Sequence, residues 1–72
     1  MRHLQREIER LKRKMLSLGA LVEEDLRLAF HAIEERDVSA ARRVIATDVL
    51  IDETEVDVEV DCLKILALDQ PV

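Results

Sequence analysis

The sequence predicts an all-α fold of two long antiparallel helices, a helical hairpin that assembles with further copies into an oligomeric bundle. Three observations support this prediction: apolar residues recur every three or four positions, one Gly and one Pro occur in 72 residues, and Phe30 is the sole aromatic residue. So few turn residues exclude a chain of short strands joined by tight turns. Strands are also usually richer in aromatic residues, and a base-stacking surface for nucleic acids requires them.

The first helix is predicted over about residues 3–35. Its apolar positions are separated by three or four residues, which is the period of a single helix face. They are Leu4, Ile8, Leu11, Met15, Leu18 and Val22, and the face is widened by Leu21, Leu28, Phe30 and Ile33. Gly19 lies within this run, where it lowers helix stability by about 1 kcal/mol relative to Ala. Its missing side chain suits the close approach of another helix.

The second helix is predicted over about residues 38–69, after a break at Arg36 and Asp37. Asp37 suits the N-cap position, since its carboxylate can accept the free N–H groups of the next turn. Pro71 ends the helix, because the residue before a proline avoids the α conformation. Two series with a seven-residue spacing run along the helix: Ile51, Val58 and Ile65, and Val49, Val56 and Leu63.

The stretch over residues 56–62 also fits a β-strand. Its apolar residues alternate with acidic ones, which is the pattern of a half-buried strand. The rest of the sequence offers no convincing partner strand, and an isolated strand would leave its backbone unpaired. The seven-residue spacing on both sides therefore favours one continuous helix.

A two-residue connection makes neighbouring helices antiparallel, so that residue i lies near residue 73 − i. Near the open end, this register brings basic residues beside acidic ones: Arg10, Lys12, Arg13 and Lys14 with Asp57, Glu59 and Asp61. Near the connection it gathers like charges: Glu23, Glu24 and Asp25 with Asp48 and Asp52. A lone hairpin cannot bury two wide apolar faces, so a dimer of hairpins is expected. The short connection also permits one straight rod that exchanges helices between chains.

Composition and charge narrow the function classes. The net charge is −5, divided into +1 over residues 1–36 and −6 over residues 37–72, and an acidic half argues against binding duplex nucleic acid. The basic stretch from Arg2 to Lys14 is interpreted as a solvated helix face. Cys62, the single cysteine, excludes an intrachain disulfide and is expected to be a small buried residue. No stretch fits a signal peptide or a membrane span, so a cytoplasmic protein without direct membrane insertion is expected.

A stripe of carboxylates on the second helix is the candidate metal site. Asp48 and Asp52 are four residues apart and can present oxygens to one cation, either iron or another divalent ion. Possible support comes from Glu23, Glu24, Asp25 and Glu55. A solvated helix face explains the same pattern in a chain with 38% charged residues. No Glu-x-x-His pair of the di-iron type occurs, and His31 is expected on the surface.

The sequence contains no catalytic set and no phosphate-binding loop, so no enzyme activity is expected.

Several spaced residues resemble a known family. The first helix carries Leu11, Met15, Leu18, Leu21, Val22, Glu23, Leu26 and Ala29. The joint Arg36-Asp37 and the segment Asp48-Val-Leu-Ile-Asp52 follow, and the chain ends in Leu66-Ala-Leu-Asp-Gln-Pro-Val72. In order and spacing, these features resemble the N-terminal part of the PhoU-type regulators of phosphate transport. The resemblance implies that residues 1–72 are one partial helical domain, the first two helices of a three-helix bundle that the full family chain contains twice.

The resemblance implies a cytoplasmic accessory protein of the phosphate ABC transporter that is not an enzyme. Such proteins restrain the phosphate-starvation response, and the implied partners are the transporter ATPase and a sensor histidine kinase. The family also carries Glu/Asp-x-x-x-Asp motifs that can bind metal clusters, which Asp48 and Asp52 match. This chain departs from the family by stopping at Val72, before the third helix, so an exposed apolar groove is expected. Two alternatives stay open: a plain helical-hairpin oligomerisation module, and a protein whose function is carboxylate-bound metal.

Overall fold

Two long helices make up the part of the chain that the structure describes. The computed structural model covers residues 2–68, with α1 at Arg2–Glu35 and α2 at Val38–Leu68. The helices lie side by side and antiparallel in a molecule of 56 × 16 × 12 Å. Both predicted ranges agree with these bounds to within one residue, although Asp69 and Pro71 lie outside the described residues. Residues 55–62 are helical, so the strand alternative for that stretch is wrong and the continuous helix is confirmed.

The turn between the helices is a tight helix C-cap formed without glycine. Arg36 adopts a left-handed conformation with φ of 52°. Its N–H donates to the carbonyl of Ile33 at 3.4 Å, and the N–H of Asp37 donates to the carbonyl of Ala32 at 2.9 Å. This pair of hydrogen bonds defines the Schellman motif, whose left-handed position is usually glycine. The left-handed backbone costs an arginine about 1 kcal/mol. The chain folds back here as a hairpin and does not continue as a straight rod.

Asp37 starts α2 in the way the sequence predicts. Its Oδ1 accepts a hydrogen bond from the backbone N–H of Ala40 at 3.0 Å. That hydrogen bond is the main reason that the pKa of Asp37 lies below its ordinary value, because it stabilises the ionised carboxylate. His31 lies nearby, with its Nε2 3.7 Å from Asp37 Oδ2, and it is exposed as expected.

A single seam between α1 and α2 forms the interior. On α2, the seam residues are separated by three or four positions and are all buried or half-buried; they are Ala40, Val44, Thr47, Ile51, Thr54, Val58, Asp61 and Ile65. The apolar residues with the least exposed surface are Ala32, Ala40 and Ile51. Of the two seven-residue series on α2, the one containing Ile51 therefore faces α1. The other series, Val49, Val56 and Leu63, is between 56 and 67% exposed.

Two expectations about small residues are corrected. Cys62 is exposed, whereas the sequence suggested a buried position. The seam near Cys62 is formed by Val58, Asp61 and Ile65, and no other element among residues 2–68 covers the adjacent face of α2. Gly19 is also exposed, and a Cβ placed on it would meet nothing within 4 Å. The close approach expected at Gly19 is therefore not made by α2.

Truncation of Ile51 tests the seam. Ile51→Ala should lower the free energy of unfolding by about 2 kcal/mol, because it leaves a gap at one of the few well-covered positions. Urea denaturation at low protein concentration, followed by circular dichroism at 222 nm, measures the change. Ile45→Ala removes the same atoms from a side chain that is 66% exposed and should change the stability by less than about 0.5 kcal/mol. Equal losses in the two variants would contradict the assignment of the buried face.

Candidate functional site

A lysine held by two aspartates joins the helices near their open end. Lys14 Nζ donates to Asp57 Oδ2 at 2.9 Å and to Asp61 Oδ2 at 2.5 Å. The hydrogen bond to Asp61, followed by that to Asp57, raises the pKa of Lys14. The same ammonium group is the main reason that the pKa of Asp61 is lowered. The arrangement confirms that basic residues of α1 lie beside the acidic residues of α2, and it fixes the register of the hairpin.

The other basic residues predicted to lie in this region take different positions. Arg10 is near enough to contribute to the lowered pKa of Asp61 through its charge. Lys12 instead forms an ion pair with Glu9 on its own helix, at 3.5 Å. Arg10, Lys12 and Arg13 are all exposed, which agrees with the interpretation of this stretch as a solvated face. Lys14 is the exception, because it is drawn into the seam.

Two aspartates meet in the half of the seam nearer the connection. Asp25 is only 8% exposed, and its Oδ1 is buried without a hydrogen-bond partner among the described residues. The pKa of Asp25 is raised, chiefly by a hydrogen bond shared with Asp48 and then by burial and by the negative charge of Asp48. Two carboxylates in such close contact repel each other when both are ionised, which favours the protonated form of Asp25. This pair follows the predicted register, in which residue i lies near residue 73 − i.

The remaining acidic residues of the predicted site do not join this pair. Glu23 and Glu24 are exposed on α1, and Glu24 accepts a hydrogen bond from Arg27 at 2.5 Å. Asp52 and Glu55 are exposed on α2. Within residues 2–68, no group of three or more His, Cys, Asp or Glu side chains is arranged to hold a metal ion.

The metal prediction for Asp48 and Asp52 therefore stays a prediction, and the described residues do not supply a complete ligand set for it. A carboxylate must be free of its proton to bind a cation. The raised pKa of Asp25 disfavours that form in the carboxylate beside Asp48.

Two exposed apolar surfaces lie outside the seam of the hairpin. The α1 stripe is defined as Met15, Gly19, Val22, Leu26, Phe30 and Ile33, and its four largest side chains are between 54 and 74% exposed. The α2 outer track is defined as Ile45, Val49, Val56, Val60 and Leu63, which are between 41 and 67% exposed. Extended exposed apolar surfaces of this kind mark protein contacts. Neither described helix has the apolar length needed to cross a membrane.

Most of the chain matches one known protein family. Residues 15–72 match the family model described as the PhoU domain. The chain belongs to the PhoU family. It is similar to the phosphate-specific transport system accessory protein PhoU of Edwardsiella tarda, with 35% identity over 90% of this chain and 27% of that protein. The PhoU homolog of Aquifex aeolicus is 37% identical over 92% of this chain and 30% of its own length.

A third relative is matched over nearly the whole chain. PhoU homolog 2 of Thermotoga maritima is 31% identical over 99% of this chain and 30% of its own length. The chain thus spans less than a third of the PhoU relatives that it matches. No solved structure matches it. The helical-bundle fold of the PhoU domain agrees with the helical hairpin described above.

Asp25→Asn should stabilise the hairpin at neutral pH. The folded state raises the pKa of Asp25 above its ordinary value of 3.8, so the stability contributed by protonated Asp25 is fully present below that value. It is lost as the pH rises through the raised pKa, when the two carboxylates begin to repel. The asparagine amide can donate to Asp48 at any pH, so thermal unfolding should show a higher midpoint at pH 7 and a weaker decline above pH 4.

Asp52→Asn provides the matched control for this measurement. It removes the same charge from an exposed position one turn further along α2. Its midpoint should keep the pH dependence of the parent chain. If both variants change the pH profile equally, the effect belongs to net charge and not to the Asp25–Asp48 pair.

Lys14→Met should destabilise the hairpin at neutral pH. It keeps most of the aliphatic stem but removes the ammonium group, leaving Asp57 and Asp61 without their shared partner. Because the pKa of Asp61 is lowered in the folded state, this stability is present above the ordinary value of 3.8 and is lost as the pH falls through the lowered pKa. The deficit in thermal midpoint should therefore be largest at neutral pH and vanish in strong acid. Lys12 pairs only with Glu9 on its own helix, at an exposed position, so Lys12→Met should hardly change the thermal midpoint. An equal fall in the midpoint of Lys12→Met would contradict the assignment of Lys14 as the link between the helices.

Proposed function

We propose that the chain acts as an accessory regulator of phosphate transport and of the phosphate-starvation response, through protein–protein contacts and without catalysis. The match of residues 15–72 to the PhoU domain carries this proposal. The relatives in Edwardsiella tarda and Aquifex aeolicus are named as accessory proteins of the phosphate-specific transport system. The long apolar surfaces of the hairpin support a role in contact with other proteins.

We propose that the partners are the ATPase of the phosphate ABC transporter and a sensor histidine kinase, and that the chain acts in the cytoplasm. The α2 outer track is the proposed contact surface, because its residues are separated by four, seven, four and three positions and therefore share one helix face, which suits docking against another helix. Self-association of hairpins belongs to the same proposal. It would cover apolar surface that α1 and α2 leave open.

A second candidate function is a plain helical-hairpin oligomerisation module, with the acidic face serving only solubility. The exposure of both apolar surfaces favours it as well. The two functions differ in their partners, since a plain module binds its own copies and neither the transporter nor the kinase.

Binding to the two proposed partners separates these functions. The 72-residue chain should bind the ATPase or the kinase of its own organism in surface plasmon resonance. Val56→Glu places a charge in the middle of the α2 outer track and should raise the dissociation constant at least about tenfold, as expected for a central contact residue. Leu16→Glu introduces the same charge at a side chain that is 75% exposed outside both apolar surfaces, and it should bind like the parent. Binding to neither protein would contradict the regulatory role and leave the plain module.

A further inference from the structure

A basic cleft lies between the helices in the half of the seam nearer the open end. Its volume is about 290 Å³, which is just below the range of about 300–1,000 Å³ that is typical of sites for drug-sized ligands. The cleft therefore suits a small ion. Its lining combines cationic, hydroxyl and carboxylate side chains: Arg10, Arg13, Lys14 and Ser17 on α1, with Thr54 and Asp57 on α2.

Two arginines of the cleft have no acidic partner among the described residues. Arg10 and Arg13 are three positions apart, so they lie on the same side of α1. Both are exposed, and neither forms an ion pair within residues 2–68, although acidic side chains outnumber basic ones by 16 to 11 in the chain. Guanidinium groups in this condition are available to donate to an oxyanion, for which their planar fork is well matched.

The charge balance of the cleft favours an anion. Lys14 Nζ is bound to Oδ2 of Asp57 and to Oδ2 of Asp61, so it offsets part of the negative charge on the α2 side. Together with Arg10 and Arg13, it gives three cationic groups against two carboxylates. The cleft thus has a surplus of one positive charge in a chain whose net charge is −5. A small anion is attracted here, although the chain as a whole repels it.

One carboxylate oxygen in this basic setting indicates which anion fits. Lys14 uses Oδ2 of Asp57, and Oδ1 forms no hydrogen bond with the described residues. An ionised carboxylate can only accept hydrogen bonds. Near neutral pH inorganic phosphate keeps at least one P–O–H group that can donate to such an acceptor, whereas sulfate has no proton and is repelled by the carboxylate.

We propose that the cleft binds inorganic phosphate: Arg10 and Arg13 donate hydrogen bonds to its oxygens, and Asp57 accepts one from its P–O–H group. The exposed Ser17 adds a hydroxyl that can donate to a further oxygen. Thr54 donates its hydroxyl to the carbonyl of Leu50 at 2.8 Å and so contributes a wall and not a donor. Because the arginines are open to water, the dissociation constant should be on the order of 1 mM.

Titration of the ¹⁵N-labelled chain by nuclear magnetic resonance tests the site at about pH 7.5. Phosphate replaces chloride at constant ionic strength, so that screening by salt does not change. The amide signals of Arg13, Ser17 and Thr54 should shift and saturate. Sulfate should bind at least about threefold more weakly, because it loses the hydrogen bond to Asp57. The absence of a saturable shift would overturn the site, and equal binding of sulfate would overturn its assignment to phosphate.

Variants then locate the contact. Arg10→Gln and Arg13→Gln should each raise the dissociation constant for phosphate at least about fivefold, because each removes a charge-assisted hydrogen bond. Arg42→Gln removes the same charge from an exposed residue outside the cleft and should bind phosphate like the parent chain. Glutamine and arginine have similar helix propensities, so circular dichroism should show equal helicity in all three variants. Equal weakening by Arg42→Gln would assign the effect to net charge and overturn the site.

Asp57→Asn tests the selectivity separately. It removes the charge that repels sulfate, so the dissociation constants for sulfate and phosphate should approach each other. A preference for phosphate that stays unchanged in this variant would contradict the role given to Asp57.

Phosphate binding goes beyond the proposed function, which requires only contacts between proteins, and the two can fail separately. A chain that binds the transporter ATPase but no phosphate would overturn only the cleft. A chain that binds phosphate but neither the ATPase nor the kinase would overturn only the regulatory role.

Discussion

Two helices laid side by side can cover only one face of each other, and this constraint shapes the whole molecule. The seam uses one face of α2, centred on Ile51, and leaves the series of Val49, Val56 and Leu63 open to solvent. In a compact bundle both series would be interior. The hairpin is thus an open layer whose remaining apolar surface is available for contact with other proteins.

The polar positions within the seam give the hairpin its register. Apolar side chains tolerate sliding by one helical turn, whereas a lysine bound to two aspartates does not. Lys14 holds the open end in place through Asp57 and Asp61, and Asp25 meets Asp48 in the other half. Lowering the pH through the lowered pKa of Asp61 weakens the first cluster, whereas raising the pH through the raised pKa of Asp25 weakens the second.

Much of this architecture could be predicted from the sequence because it is set locally. The helix bounds, the N-cap at Asp37 and the pairing of Lys14 with acidic residues follow from periodicity, turn chemistry and the length of the connection. The sequence could not decide which seven-residue series of α2 faces inward, since both are equally regular and the choice depends on how the helices rotate against each other. The same rotation leaves Cys62 exposed and buries Asp25, which the sequence had placed only among the acidic residues near Asp48. The left-handed Arg36 gave no signal, because glycine is absent from the turn.

The turn at Arg36 affects how easily α1 and α2 could be exchanged between two chains. Its left-handed backbone strains a residue with a side chain, and the strain disappears if the connection straightens. All seam contacts would survive straightening if a neighbouring chain provided the opposite arm, as in domain swapping. The closed and exchanged forms would then differ in free energy mainly by the backbone strain at Arg36 and by the entropy of bringing two chains together. A crowded or concentrated setting would shift the balance toward exchange.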